Sequence, residues 1–139
     1  MIKKHNLDLE RSQTVYEQCA DDIRIKECYA NVFRVAYHFP EQFMLGEWKI
    51  AYGYMQVFEK LYVRHCFIVN DAGWVIDPTS CLFSKNKDTV YLSFTTLNYD
   101  EFFNLVIDHD FRPALEKAFP EEEKAAWEYA KENDLFFIG

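Results

Sequence analysis

Between Trp48 and Thr96 the chain leaves the helical hydrophobic period that it keeps before and after, and this switch limits the possible folds more than any other feature. Trp48–Val57 and Leu61–Asn70 are rich in β-branched and aromatic residues and read as strands. Asn70-Asp71-Ala72-Gly73 is a turn signal, after which Trp74–Asp77 continues as a short strand as far as Pro78. Thr89–Thr96 reads as another strand. Connections this short join neighbours running in opposite directions, so an antiparallel sheet or meander is expected.

Helical patterning flanks the sheet. From about Leu9 to Ala20, Val15, Cys19 and Ile23 recur at steps of four. Asp21-Asp22 then offers a capping break. A second helix is expected from about Arg24 to Tyr37, with Ile25, Cys28/Tyr29, Val32 and Val35/Ala36 on its apolar stripe, and Pro40 should end helical character. After the sheet, Tyr99–Ile107 reads as helix and Pro113–Phe119 as a short helical piece. Pro120 followed by three glutamates suits a helix start that runs to about Asn133, because carboxylates favour the positive end of the dipole. Leu135–Ile138 is a closing strand or a tail packed on the core. Helices, then sheet, then helices make an α+β fold rather than alternating βαβ units. One domain over 1–139 is expected, with its core at about 24–96 and a C-terminal helical region at 98–139.

Half of the 139 residues are hydrophobic and 18% are aromatic, which supplies a core and sets disorder aside. The formal charge of −8 is uneven, since residues 98–139 hold eleven Asp/Glu against four Lys/Arg. No basic stripe is available to displace the counterions of a phosphate backbone, so nucleic acid is not an expected partner. The acidic end reads as solvated helix faces, or as a surface for a basic partner. Cys19, Cys28, Cys66 and Cys81 lack CxxC spacing, no apolar leader opens the chain, and no run reaches the length of a membrane span. Reduced thiols in a cytoplasm, and no membrane partner, are the expectation.

Three residues carry candidate chemistry. Cys28 lies on the apolar stripe of its helix and alone reads as a core thiol; a helix starting nearer Lys26 would put it where the dipole stabilises thiolate. His65 sits in Val63-Arg64-His65-Cys66-Phe67-Ile68-Val69, where an imidazole needs a partner or a task. Cys66 should face the opposite side of that strand. Asp77, twelve residues after His65, closes the next strand before Pro78; it either accepts backbone bonds in the turn or orients the His65 ring. Together they form an ordered nucleophile, base and orienting carboxylate.

Glu27-Cys28-Tyr29-Ala30-Asn31, Tyr52-Gly53-Tyr54, His65-Cys66-Phe67-Ile68-Val69 and Trp74-Val75-Ile76-Asp77-Pro78-Thr79, in that order, resemble the transglutaminase-like, papain-related cysteine protease superfamily. They are similar also to small bacterial or phage proteins with Cys-Tyr-x-Asn, His and Asp-Pro-Thr elements. The resemblance covers about residues 24–80. It implies a papain-like core with a Cys28 nucleophile, His65 base and Asp77 orienter. In this chain no small residue directly precedes Cys28, and Cys66 takes the place of the family's Ala after His.

For the oxyanion, the backbone N–H of Cys28 is one expected donor. Asn31, Gln18 or Gln56 could add an amide, and Tyr54 with Tyr52 could line the cleft; each also reads as a structural residue. His5, His38 and His109 are scattered without metal-ligand spacing, and Gly46, Gly53 and Gly73 are isolated rather than forming a phosphate loop, so neither metal nor cofactor is expected. The expected activity is thiol-dependent acyl transfer or amide hydrolysis, as in a cysteine peptidase, amidase, deamidase or transglutaminase, acting on a protein, a peptide or a small amide. The competing expectation is a non-catalytic binding or inhibitory module, such as a phage effector, that keeps the fold.

Overall fold

The β-rich middle of the chain pairs with itself to form the centre of a six-stranded sheet. The computed structural model describes residues 2–19, 21–24, 27–83, 85–110 and 118–139. The elements are β1 (Lys3–Asn6), α1 (Leu9–Cys19), α2 (Cys28–His38), α3 (Pro40–Met44), β2 (Trp48–Phe58), β3 (Leu61–Asn70) and β4 (Val75–Ile76). A 3-10 turn (Pro78–Leu82), β5 (Val90–Leu97), α4 (Tyr99–Asp108), α5 (Pro120–Glu132) and β6 (Phe136–Ile138) follow. The strand order is β1-β5-β2-β3-β4, with β6 added to β3. Every pairing of named strands is antiparallel except β3–β6. Among the described residues five α-helices pack on this sheet, a mixed helix-and-sheet arrangement.

Both faces of the sheet are buried, which explains why β2 and β3 read as near-continuous apolar runs. One face carries Ile50, Tyr52, Tyr54, Cys66 and Ile68, packed against Val32, Val35 and Ala36 of α2, Val106 of α4 and Ala126 and Ala130 of α5. The other carries Ala51, Met55, Phe67, Val69 and Tyr91, with Leu7 and Val75. Because side chains alternate along β3, Cys66 and His65 lie on opposite faces, as their adjacency requires. Burial raises the Cys66 thiol well above its ordinary range, with the charges of Cys28 and Asp77 adding to the effect.

Two elements differ from the sequence reading, and a third settles between its two alternatives. Pro40 ends α2 but starts α3, since a proline is pre-shaped for the first position of a helix. Lys3–Asn6 forms the strand β1, which its Lys-Lys-His-Asn composition hides, because tertiary pairing with β5 outweighs propensity. Leu135–Ile138 resolves as β6, parallel to the start of β3. Most of the expected piece at 113–119 lies outside the described residues.

The acidic C-terminal region is not uniformly solvated. Glu123 in the first turn of α5 makes an ion pair with Arg64 and accepts a 2.9 Å hydrogen bond from the Tyr54 hydroxyl. The Arg64 guanidinium also lies 5.8 Å from the Tyr54 ring centre. This partly buried cluster ties α5 to β2 and β3, whereas Glu121 stays exposed and Glu122, half-buried, is not part of it.

Candidate active site

The start of α2 sets the position of Cys28. The sequence reading begins this helix at about Arg24, which would carry Cys28 past the first turn. Instead Asn31 captures the backbone of Arg24: its Oδ1 accepts from the Arg24 N–H at 2.9 Å and its Nδ2 donates to the Arg24 carbonyl at 2.7 Å. These bonds tie Arg24 back onto α2 ahead of its first residue, and the helix opens at Cys28. Glu27 at the N-cap gives no side-chain cap and pairs with Arg34 at 3.0 Å instead. The first N–H groups of a helix have no partner within it. Cys28, half-buried, therefore sits at the positive end of the α2 dipole.

His65 and Asp77 come from the β3–β4 hairpin. Ile68 pairs with Ile76 and Val69 with Val75. Continuing this register sets Asp77 opposite Phe67, on the same face as His65 and diagonal to it. The Asp77 Oδ2 atom lies 2.8 Å from His65 Nε2. Both groups are buried, His65 at 4% and Asp77 at 1% exposure. A carboxylate only accepts, so Nε2 carries the hydrogen and Nδ1 is left for the other partner of the ring, which is the Cys28 thiol. Since α2 packs on one face and His65 projects from the other, thiol and ring meet around the edge of β3.

Burial disfavours charge on His65, but the neighbouring Asp77 carboxylate and Cys28 sulfur outweigh it and push the imidazole up to about 10. An imidazolium held against the Asp77 carboxylate is the state this favours. Cys19, Cys66 and Cys81 are all shifted upward by burial, the opposite of what reactivity needs.

Asp77 is fixed from every side. Its N–H donates to Ser12 Oγ of α1 at 2.9 Å, and its carbonyl accepts from Ser80 Oγ at 2.5 Å and Ser80 N at 3.0 Å. The Tyr91 hydroxyl donates to Oδ2 at 2.7 Å. Burial and the Asp77 charge push that hydroxyl well above its ordinary range, so it stays a donor. Neither Ser12 nor Tyr91 stands out in the sequence reading. Tyr91 had a usable signal: a phenol flanked by Val90 and Leu92 on a strand must place its hydroxyl on a partner if it is buried.

The structure brings Cys28, His65 and Asp77 together and sets the expected supporting residues elsewhere. Asn31 is fully buried, and its amide also donates to Thr79 Oγ1 at 2.9 Å. With both amide hydrogens engaged, it braces the start of α2 against the turn after Asp77 and has none left for an oxyanion. Tyr54 points to the face opposite His65, with its hydroxyl on Glu123 and its ring stacked on Phe137 at 4.1 Å. The Gln56 amide is bonded to Glu59 and Val90. A surface cavity of about 800 Å³ between α1 and Trp74, lined by Leu9, Gln13 and Glu17 among others, is not lined by the triad.

Gly53 lies between β3 and β5, opposite His65 on one side and Ser93 on the other. The register of β2 and β5 shifts there by one residue, and a Cβ at position 53 would stand 1.8 Å from the Leu92 carbonyl oxygen. Only glycine fits so close a strand approach. It also leaves no side chain between His65 and Tyr91, whose ring centres lie 6.1 Å apart.

Comparison with protein-family models, with curated proteins and with solved structures returned no match.

Proposed function

We propose that this protein is a thiol-dependent acyl transferase or amide hydrolase with a papain-like, transglutaminase-like core, working through Cys28, His65 and Asp77. The observation that carries this reading is the buried hydrogen bond between His65 Nε2 and Asp77 Oδ2, with the Cys28 sulfur close enough to the same ring to act on its charge. A core thiol and a structural histidine have no reason to meet beside a buried carboxylate.

In the proposed reaction the Cys28 sulfur attacks an amide carbonyl carbon, and the imidazolium of His65 then gives its Nδ1 proton to the departing amine. The oxyanion forms beside the first N–H groups of α2, which no side chain caps. Water or a second amine, deprotonated by Nδ1, attacks the thioester and releases the thiol. Asp77 keeps Nε2–H in place throughout. A protein, peptide or small amide meets the requirement for an acyl donor.

The test is alkylation of Cys28 across pH, followed by mass spectrometry with the other three cysteines as internal references and repeated in His65→Ala. Preferential modification of Cys28 that His65→Ala abolishes supports the reading. A Cys28 no more reactive than Cys81, or unaffected by His65→Ala, overturns it.

A further inference from the structure

The acid member of the proposed triad takes two donors on one oxygen. His65 Nε2 and the Tyr91 hydroxyl both bond Asp77 Oδ2, at 2.8 and 2.7 Å. They reach it from different strands, His65 from β3 and Tyr91 from β5 across the gap left by Gly53. The Tyr91 ring is itself held, fully buried and edge-on to Phe67 at 5.0 Å between ring centres. Backbone bonds to Ser12 and Ser80 fix the Asp77 main chain, yet they leave the carboxylate free to turn about its own side-chain bonds. Of the hydrogen bonds described for the carboxylate, the one from Tyr91 is the one that a group outside the triad supplies.

Resting on the triad reading, we infer that Tyr91 is a positioning residue, whose hydroxyl orients Asp77 so that Oδ2 faces His65 Nε2. Burial and the neighbouring carboxylate favour the protonated phenol, so it remains a donor. Removing the hydroxyl leaves the ring in place and lets the carboxylate turn, which weakens its hold on the imidazolium and thereby the thiolate. Other groups feel Asp77 as well, namely Lys85, Cys81 and Cys66, but none of them is described as a hydrogen-bond partner of its carboxylate.

The experiment follows the His65 ring by nuclear magnetic resonance through a pH titration in wild type, Tyr91→Phe, Asp77→Asn and Cys28→Ser, alongside the alkylation rate of Cys28. Tyr91→Phe should move the His65 midpoint downward by less than Asp77→Asn does and slow alkylation about tenfold, or about 1.4 kcal/mol. An unmoved or raised midpoint in Tyr91→Phe, with Asp77→Asn and Cys28→Ser shifting it as expected, overturns the role of Tyr91 alone. A midpoint that Asp77→Asn and Cys28→Ser also leave in place overturns the triad itself. Should Tyr91→Phe fail to fold, the Tyr91 hydroxyl proton decides: a slowly exchanging resonance in wild type that Asp77→Asn abolishes supports the role. A resonance indifferent to that change removes it.

Discussion

His65 Nε2 and Asp77 Oδ2, twelve residues apart along the chain, are held 2.8 Å apart by one hairpin, and both are almost completely shielded from water. A lone carboxylate or imidazolium would be costly there, so each depends on the other. The position of Cys28 at the first residue of α2 turns that pair into a candidate catalytic set.

Reactivity should separate the four thiols. Cys28 is expected to alkylate at least about tenfold faster at neutral pH than Cys19, Cys66 or Cys81, whose protons burial holds more tightly. His65→Ala should erase the difference, as read by peptide mass spectrometry.

The His65 charge also predicts a pH dependence of stability. Its folded value, about 10, lies above the unfolded value of about 6.5. The contribution is therefore full below about 6.5, declines as pH rises, and is gone above about 10. Thermal unfolding of wild type and His65→Gln should show a gap that narrows over this interval. A gap that widens with rising pH contradicts the ion pair.

Gly53→Ala should be among the most damaging single changes in the sheet. The added Cβ meets backbone rather than a flexible side chain, 1.8 Å from the Leu92 carbonyl oxygen, so β2 and β5 must separate. A loss of about 3 kcal/mol or more is expected in urea unfolding.

Asn31→Ala leaves the Arg24 backbone and the Thr79 hydroxyl without their buried partner. The expected cost is about 2–3 kcal/mol. Because the same bonds fix where α2 begins, Cys28 alkylation should slow together with the drop in unfolding midpoint. Thr79→Val, which removes one bond only, should have the smaller effect on both.

Glu123→Ala strands the Arg64 guanidinium, largely covered and with its Nε already unbonded. About 3 kcal/mol should be lost in chemical unfolding. Glu121→Ala, on an exposed position one turn edge away, should change stability by less than about 0.5 kcal/mol. Charge reversal across all three glutamates would thus report on folding before it reported on any partner.

The pattern of alternation and turn residues made β2, β3 and the β4 hairpin legible, and with them the approach of His65 to Asp77. Asn70-Asp71-Ala72-Gly73 fixes the turn, and the turn fixes the register. Supporting residues were legible only by type: Asn31 reads equally as an oxyanion donor or a brace, because an amide has the same atoms in either role. Its partners, Arg24 and Thr79, lie seven and forty-eight residues away, and only folding brings the second one near.

The sequence by itself determined the central strands β2 to β5, the longer flanking helices and the Cys-His-Asp order, because hydrophobic period and turn chemistry act over a few residues. Tertiary structure alone decided that α2 opens at Cys28, that Tyr91 shares an oxygen with His65, and that β1 and β6 join the sheet. Each of those rests on contacts between segments distant in the chain, where the stability gained by burying a satisfied polar group or pairing an edge outweighs local preference.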